Sequence, residues 1–455
     1  MFEPNIRPSI VAILAVVSSL ACGVSGATAE ELGHFGTKQP YTPPATTTYS
    51  TPPAGYELVS VQHVARHGSR LLSSAKYDDL SLQLWELAEA EGGLTAKGVE
   101  FGDILRKIMA FHESHGYGNL SDLGRQEHFD MAGRAYKRDR ALFDAALANG
   151  EQFELLSSGK DRAVDSGLNF LEGIVAAEPA LKTSFQDMVF NTDVLYFHKS
   201  DEAYLAYSEG DPRLEAAVAQ LSALPEVVDA SRKVLSIIYT DAFLDKLASG
   251  EISLVDRTKG STKIDDIASA ADCLFNLYII LPGIPELDAD LSQFVPEEQA
   301  DILSYFSDGE QFYEKGPGFA GETATYAMAG ALLEHFFDSI DQRLQGGNVA
   351  GSFRFTHAEE IIPFAALLKI NGSDVQISPD EIFSYENNPW RGEIVSPMGA
   401  NIQWDVFSDS EGSAAVRMLY NEKEAKFYEN CVAISGFEYF YDLEELRKCL
   451  PNGRV

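Results

Sequence analysis

Val59-Ser60-Val61-Gln62-His63-Val64-Ala65-Arg66-His67-Gly68-Ser69-Arg70 decides how the rest of the chain is read. Apolar residues alternate through a valine-rich run, which predicts a buried strand, and the strand stops at a glycine turn presenting one imidazole between two guanidiniums. In open α/β sheets ligands bind beyond the carboxyl ends of strands, so chemistry is expected at that turn. Guanidinium forks match phosphate oxygens in pairs, so Arg66 and Arg70 around His67 suit a phosphate dianion. Gly68 is expected to let the backbone come close to that ligand.

Two further strand ends carry related groups. Phe153 to Ser157 reads as a strand ending in Ser158-Gly159-Lys160-Asp161-Arg162 before a helix through Leu171, where an anion would also meet the free N–H groups of the helix start. Ser352 to Thr356 reads as a third strand. It is followed by His357-Ala358-Glu359-Glu360 and a helix through Leu368, with Pro363 expected near its first turn.

The intervening chain is mostly helical in pattern. Tyr77 to Glu91 is amphipathic, and Thr95 and Ser121 are plausible N-caps, each with a glycine, Gly98 or Gly124, in the first turn where another backbone can approach. The basic helix from Ser121 offers Arg125 as a pocket candidate. From about residue 186 to 314 strand signals largely vanish, and helices are predicted over Pro212–Ala223, Val227–Ala248, Ser261–Leu281 and Pro296–Phe306. A long helix from Glu322 to Leu344 and antiparallel edge strands over Ile394–Phe407 and Ala414–Tyr420 complete the pattern. The fold class expected is α/β, with a doubly wound sheet core over 55–185 and 315–455 and an inserted, mostly helical domain over 186–314 forming one wall of the pocket.

Residues 1–29 read as a signal peptide, with Arg7 ahead of an apolar run from Ile10 to Val17 and Ala27-Thr28-Ala29 as a cleavage site. Ser19 stands where a lipobox would have leucine three residues before Cys22, so ordinary cleavage and a released, exported protein are expected rather than a lipid anchor. No second long apolar stretch exists to span a membrane. Residues 30–54, rich in Pro and Thr over 41–53, read as an extended arm rather than part of a core. The formal net charge of −34 argues against nucleic acid and anionic membranes as partners, while leaving room for a local basic pocket. Three cysteines lie beyond the signal segment; export permits disulfides, and Cys431–Cys449 is the expected pair.

Arg66, His67, Arg70, Arg162, His357 and Glu359 therefore bring a phosphate clamp, a nucleophile and an acid to three neighbouring strand ends, the parts that a metal-free phosphomonoesterase needs. His112-Glu113-Ser114-His115 lacks the H-E-x-x-H spacing, no carboxylate cluster fits a two-metal site, and there is no G-x-S-x-G elbow. Neither a metal nor another cofactor is expected.

These motifs resemble the histidine phosphatase superfamily, in its branch of histidine acid phosphatases and phytases. Arg66-His67-Gly68-Ser69-Arg70 matches the superfamily signature, and His357-Ala358-Glu359 matches the subgroup of multiple inositol polyphosphate phosphatases, where other phytases have His-Asp. Ser157 to Ser166, Lys315-Gly316-Pro317-Gly318 and Leu419-Tyr420-Asn421-Glu422 stand in the expected order, which adds Lys315 to the candidate substrate contacts. Leu72 departs from the usual proline without removing a catalytic group. The resemblance implies that His67 attacks phosphorus, that Arg66, Arg70, Arg162 and His357 hold the phosphoryl oxygens, and that Glu359 protonates the leaving oxygen, for which a raised pKa or an acidic optimum is expected. It implies a phosphatase acting on inositol hexakisphosphate (phytate) and lower inositol phosphates; with the signal segment, an exported protein is expected, and a monomer. A broad-specificity acid phosphatase and a non-catalytic phosphate-ligand binding protein are the alternatives.

Overall fold

The computed structural model describes residues 33–450 apart from 46 and 261, so the expected signal segment, with Cys22, lies outside the described residues. Its strands are β1 (Glu57–Arg66), β2 (Gln152–Ser157), β3 (Val189–Phe190), β4 (Leu254–Val255), β5 (Lys263–Ile264), β6 (Val349–Thr356), β7 (Asn401–Ser408), β8 (Ala414–Tyr420), β9 (Lys423–Ala425) and β10 (Phe440–Asp442). One mixed sheet has the order β10-β8-β7-β1-β6-β2-β3, with β9 added to β8, while β4 and β5 form a separate hairpin. β1, β6, β2 and β3 run parallel; β7 pairs antiparallel with β1.

Helices cover both faces, so β1 is buried on both sides from Ser60 to Arg66 although its apolar residues alternate with polar ones. Val61 and Ala65 point to one side, with Phe153 and Phe353, against α3 (Asp122–Arg138), α4 (Arg140–Asn149) and α5 (Asp161–Ala177). Val64 points to the other, with Ile402 and Trp404, against helices Gly330–Leu344 and Ala358–Leu367. This period-2 division is the strand's own geometry. A further core joins α1 (Lys76–Glu91) and α2 (Ala96–His115) to helices Pro225–Ile238 and Ile267–Ile280.

Several boundaries differ from the sequence expectation. The helix predicted over 227–248 breaks at Tyr239-Thr240, because Thr240 N–H turns aside to Gly93 O at 2.8 Å. The predicted 322–344 helix is two, Ala324–Ala327 and Gly330–Leu344. Part of the predicted 261–281 helix is strand β5, and helix Ile267–Ile280 begins at a capping box on Asp266. Pro363 lies inside helix Ala358–Leu367 rather than in its first turn.

The larger correction concerns β7 and β8, which are interior strands, not edges. Residues 392–395 are a helical turn, and β7 starts only after Pro397 and Gly399, the latter at φ +68°. The polar alternation of Asn401, Gln403 and Asp405 suggests a solvent face, yet all three are buried. They are satisfied internally: Gln403 Nε2 donates to Asp139 at 2.9 Å, and Arg417 Nη2 to Asp405 at 2.7 Å.

The arm is extended as expected, but it is also part of the packing. Tyr41 joins the core under α3, and its hydroxyl donates to Glu422 at 2.9 Å. Isolated anchors of this kind have no period, so no sequence pattern announces them. Cys431 and Cys449 form the expected disulfide, and Cys273 is a buried free thiol.

Candidate active site

Strand register brings the three motifs to one level. Arg66 is the Cα partner of Thr356 across β1 and β6, and Ser157 is that of Phe355 across β2 and β6. The next residues, His67, His357 and Ser158, therefore leave the sheet side by side. The His67 and His357 rings lie 5.4 Å apart in an edge-on arrangement, and His67 N–H donates to Thr356 O at 2.8 Å. Arg162 enters from the first turn of α5.

His67 is held as a neutral imidazole. Its Nδ1 is 2.9 Å from Gly68 O, and a carbonyl only accepts, so the ring proton sits on Nδ1 and the Nε2 lone pair is free. Burial, followed by Arg162, Arg66 and Arg70, holds the imidazole well below its usual pKa. His357 Nε2 is 2.8 Å from Ser158 Oγ; with that hydroxyl donating, His357 carries its proton on Nδ1. Burial and Arg162 also keep His357 neutral.

The cations are fixed by carbonyls rather than by carboxylates. Arg66 Nη1 donates to Thr37 O at 2.6 Å and Ser396 O at 2.5 Å, and Arg70 Nη1 to Leu71 O at 2.7 Å. Burial, with repulsion from Arg162, lowers Arg66 to about 10 against the pull of Glu359, and burial, Arg162 and Arg66 lower Arg70 to about 9. Arg162 makes no ion pair with Asp161 or Asp165. Among the described residues, Arg66 Nε, Arg70 Nε, Arg162 Nε and His357 Nδ1 are buried without a hydrogen-bond partner in the protein. Buried orphan donors are uncommon, and four around one imidazole form a cradle for an anion rich in acceptors.

Of the two alternatives expected for Glu359, a raised pKa or an acidic optimum, the first is not what the structure shows. Lys315 Nζ lies 3.2 Å from its Oε1. Burial by itself would raise Glu359, but Lys315, with His198 and His357, outweighs it and holds the carboxyl well below the usual range, not above it. The sequence order places Lys315 near the motifs but carries no sign that it faces this carboxylate. Arg125 stands apart: it is 42 % exposed and pairs with Asp122 at 3.1 Å.

The loop rests on a residue absent from the sequence reading. Glu127 accepts from Ser69 N at 2.6 Å, Ser69 Oγ at 2.8 Å and Tyr41 N at 2.9 Å. Its position one helical turn after Gly124 is the available signal. A Cβ on Gly68 would lie 2.4 Å from Gly124 O, so this glycine admits α3, not the ligand as expected. Gly98 and Gly124 are close-approach sites as predicted: a Cβ would come within 2.1 Å of Ile238 O and 1.9 Å of Ser69 O respectively.

The family model described as histidine phosphatase superfamily (branch 2) matches residues 57–421. The chain belongs to that family. A solved histidine phosphatase, the Bifidobacterium longum multiple inositol polyphosphate phosphatase in complex with inositol hexasulfate, is 35 % identical with a TM-score of 0.89, covering 92 % of this chain and 97 % of that one. The chicken (Gallus gallus) multiple inositol polyphosphate phosphatase 1 is 22 % identical over 98 % of this chain and 95 % of its own length. The phytase from D. castellii shares the fold at 16 % identity and a TM-score of 0.58, over 91 % of this chain and 83 % of that one. Leu72, where the family usually has proline, is buried, and its carbonyl accepts from Gly118 N–H at 2.7 Å, so the loop of this histidine phosphatase is tied down without the ring.

Proposed function

We propose that this histidine phosphatase removes phosphates from inositol polyphosphates, phytate among them, through a phosphohistidine on His67. The observation that carries the reading is the ring of four unpartnered donors around a neutral imidazole whose Nε2 is free. His67 Nε2 attacks phosphorus in line with the leaving oxygen. The P–O bond breaks as the N–P bond forms, and Glu359, in the protonated form that low pH populates, gives its proton to the departing alkoxide. Arg66, Arg70, Arg162 and His357 Nδ1 hold the phosphoryl oxygens as charge develops, where most catalysis of phosphoryl transfer originates. The resulting Glu359 carboxylate takes a proton from water, which attacks phosphorus; the N–P bond breaks and His67 is restored.

The choice of inositol polyphosphates is supported by the likeness to the Bifidobacterium longum enzyme along almost its whole length. We also propose that helices of 186–314 form one wall of the pocket, which residues such as Leu214 and Asp272 support. Export is proposed as well, and the Cys431–Cys449 disulfide supports it. Every group named comes from one chain, so a monomer suffices.

The test is phosphate release from inositol hexakisphosphate by the purified protein and by His67→Ala, with a small aryl phosphate as comparator. Preferred turnover of the hexakisphosphate, abolished in the variant, is expected. Preference for the aryl ester would indicate a broad acid phosphatase, and no release at any pH would indicate a binding protein.

A further inference from the structure

A cavity of about 500 Å³ opens beside the phosphate cradle, lined by the cations Lys38, Arg70 and Lys76 and by the carboxylates Asp272, Glu310 and Glu314. Lys38 comes from the N-terminal arm, outside the span matched by the family model. Both of its neighbours are pinned: Thr37 O accepts from Arg66 Nη1 at 2.6 Å, and Gln39 O accepts from Met398 N at 2.8 Å. Two residues further on, Tyr41 N donates to Glu127 at 2.9 Å, the carboxylate that also holds the nucleophile loop. The ammonium is thus delivered by a segment tied to the catalytic arginine and to the support of its loop.

No carboxylate among the described residues lies within ion-pair distance of Lys38. Burial, then Arg70, Arg66 and Lys315, pull its pKa well down, and the Glu359 carboxylate offsets this only in part. A second anion entering the cavity would reverse that field. Arg70 belongs to the cradle, and Lys76 stands in the field of the acidic Asp272 and Glu310, so Lys38 is the lining cation left for a phosphate beyond the one in the cradle. A compact ammonium, unlike a guanidinium fork, accepts phosphate oxygens from many directions and suits a site that meets differently phosphorylated rings.

We infer that Lys38 binds a ring phosphate other than the one being transferred, and so sets the preference for polyphosphorylated over singly phosphorylated substrates. This rests on the inositol polyphosphate reading above.

The test separates the two. Turnover of a small aryl phosphate is measured with increasing myo-inositol hexasulfate, a polyanion that cannot be hydrolysed at phosphorus, for the wild type, Lys38→Met and Lys38→Arg. The ratio of the hexasulfate inhibition constant to the aryl-phosphate KM should rise about tenfold in Lys38→Met, the loss of one charge-assisted contact, and return most of the way in Lys38→Arg. An unchanged ratio, including one in which both constants rise together because the arm has shifted, overturns the role. Failure of the wild type to release phosphate from inositol hexakisphosphate would instead overturn the substrate reading, and the ratio would still report on Lys38.

Discussion

Lys315 Nζ sits 3.2 Å from Glu359 Oε1, so the proposed proton donor is held as a carboxylate by a buried ammonium. A proton donor acts in its protonated form, and the alkaline limb of kcat/KM falls where Glu359 loses its proton. Lys315 favours the charged form and so places that limb at low pH. Lys315→Met removes the favouring charge, and the limb should move upward by about one pH unit, as expected for loss of an opposite charge at this range. A pH–rate profile with the aryl phosphate checks this; a limb that stays in place would mean that Glu359 is not the group titrating.

Glu359→Gln tests the same carboxyl through the leaving group. Without an acid, an alkoxide leaving group suffers more than a stabilised phenolate. Inositol phosphates should slow by about 10²–10⁴-fold and an activated aryl phosphate by much less. Equal slowing of both would rule out protonation of the leaving oxygen.

Glu127 ties the loop after His67 to the arm, and Glu127→Ala would leave two buried N–H groups unpaired. A loss of about 2–4 kcal/mol in urea unfolding is expected. Activity should fall further than the unfolded fraction explains, because Ser69 and its neighbours lose their position.

Gly124 and Gly133 lie on the same helix and give opposite expectations. A Cβ on Gly124 would meet Ser69 O at 1.9 Å, whereas one on Gly133 meets nothing within 4 Å. Gly133→Ala should stabilise by about 0.5–1 kcal/mol through helix propensity. Gly124→Ala should destabilise by about 3 kcal/mol or more and lower turnover, since it pushes the loop after His67. Paired thermal melts and rates compare them directly.

Some of this site was legible in the sequence for local reasons. Strand alternation in Val59–Ala65 and Ser352–Thr356 is set by residues that are neighbours in the chain, and so is the position of a polar group just past a strand end. The caps Thr95 and Ser121, each bonding the N–H of a glycine three residues on, are equally local. Helix breaks at Tyr239-Thr240 and Met328-Ala329 were not legible, because those segments keep apolar residues on both sides of the break.

The sequence by itself determined which chemical groups stand at the ends of β1, β2 and β6, since strand and turn propensities act over a few residues. Only the tertiary structure decided that β7 lies inside the sheet with its polar side chains paired. It also decided that the arm brings Lys38 to the cavity and that Lys315 sets the charge of Glu359. Those relationships join residues far apart in the chain, and a charge or a buried donor has no energy of its own until packing fixes its distance from a partner.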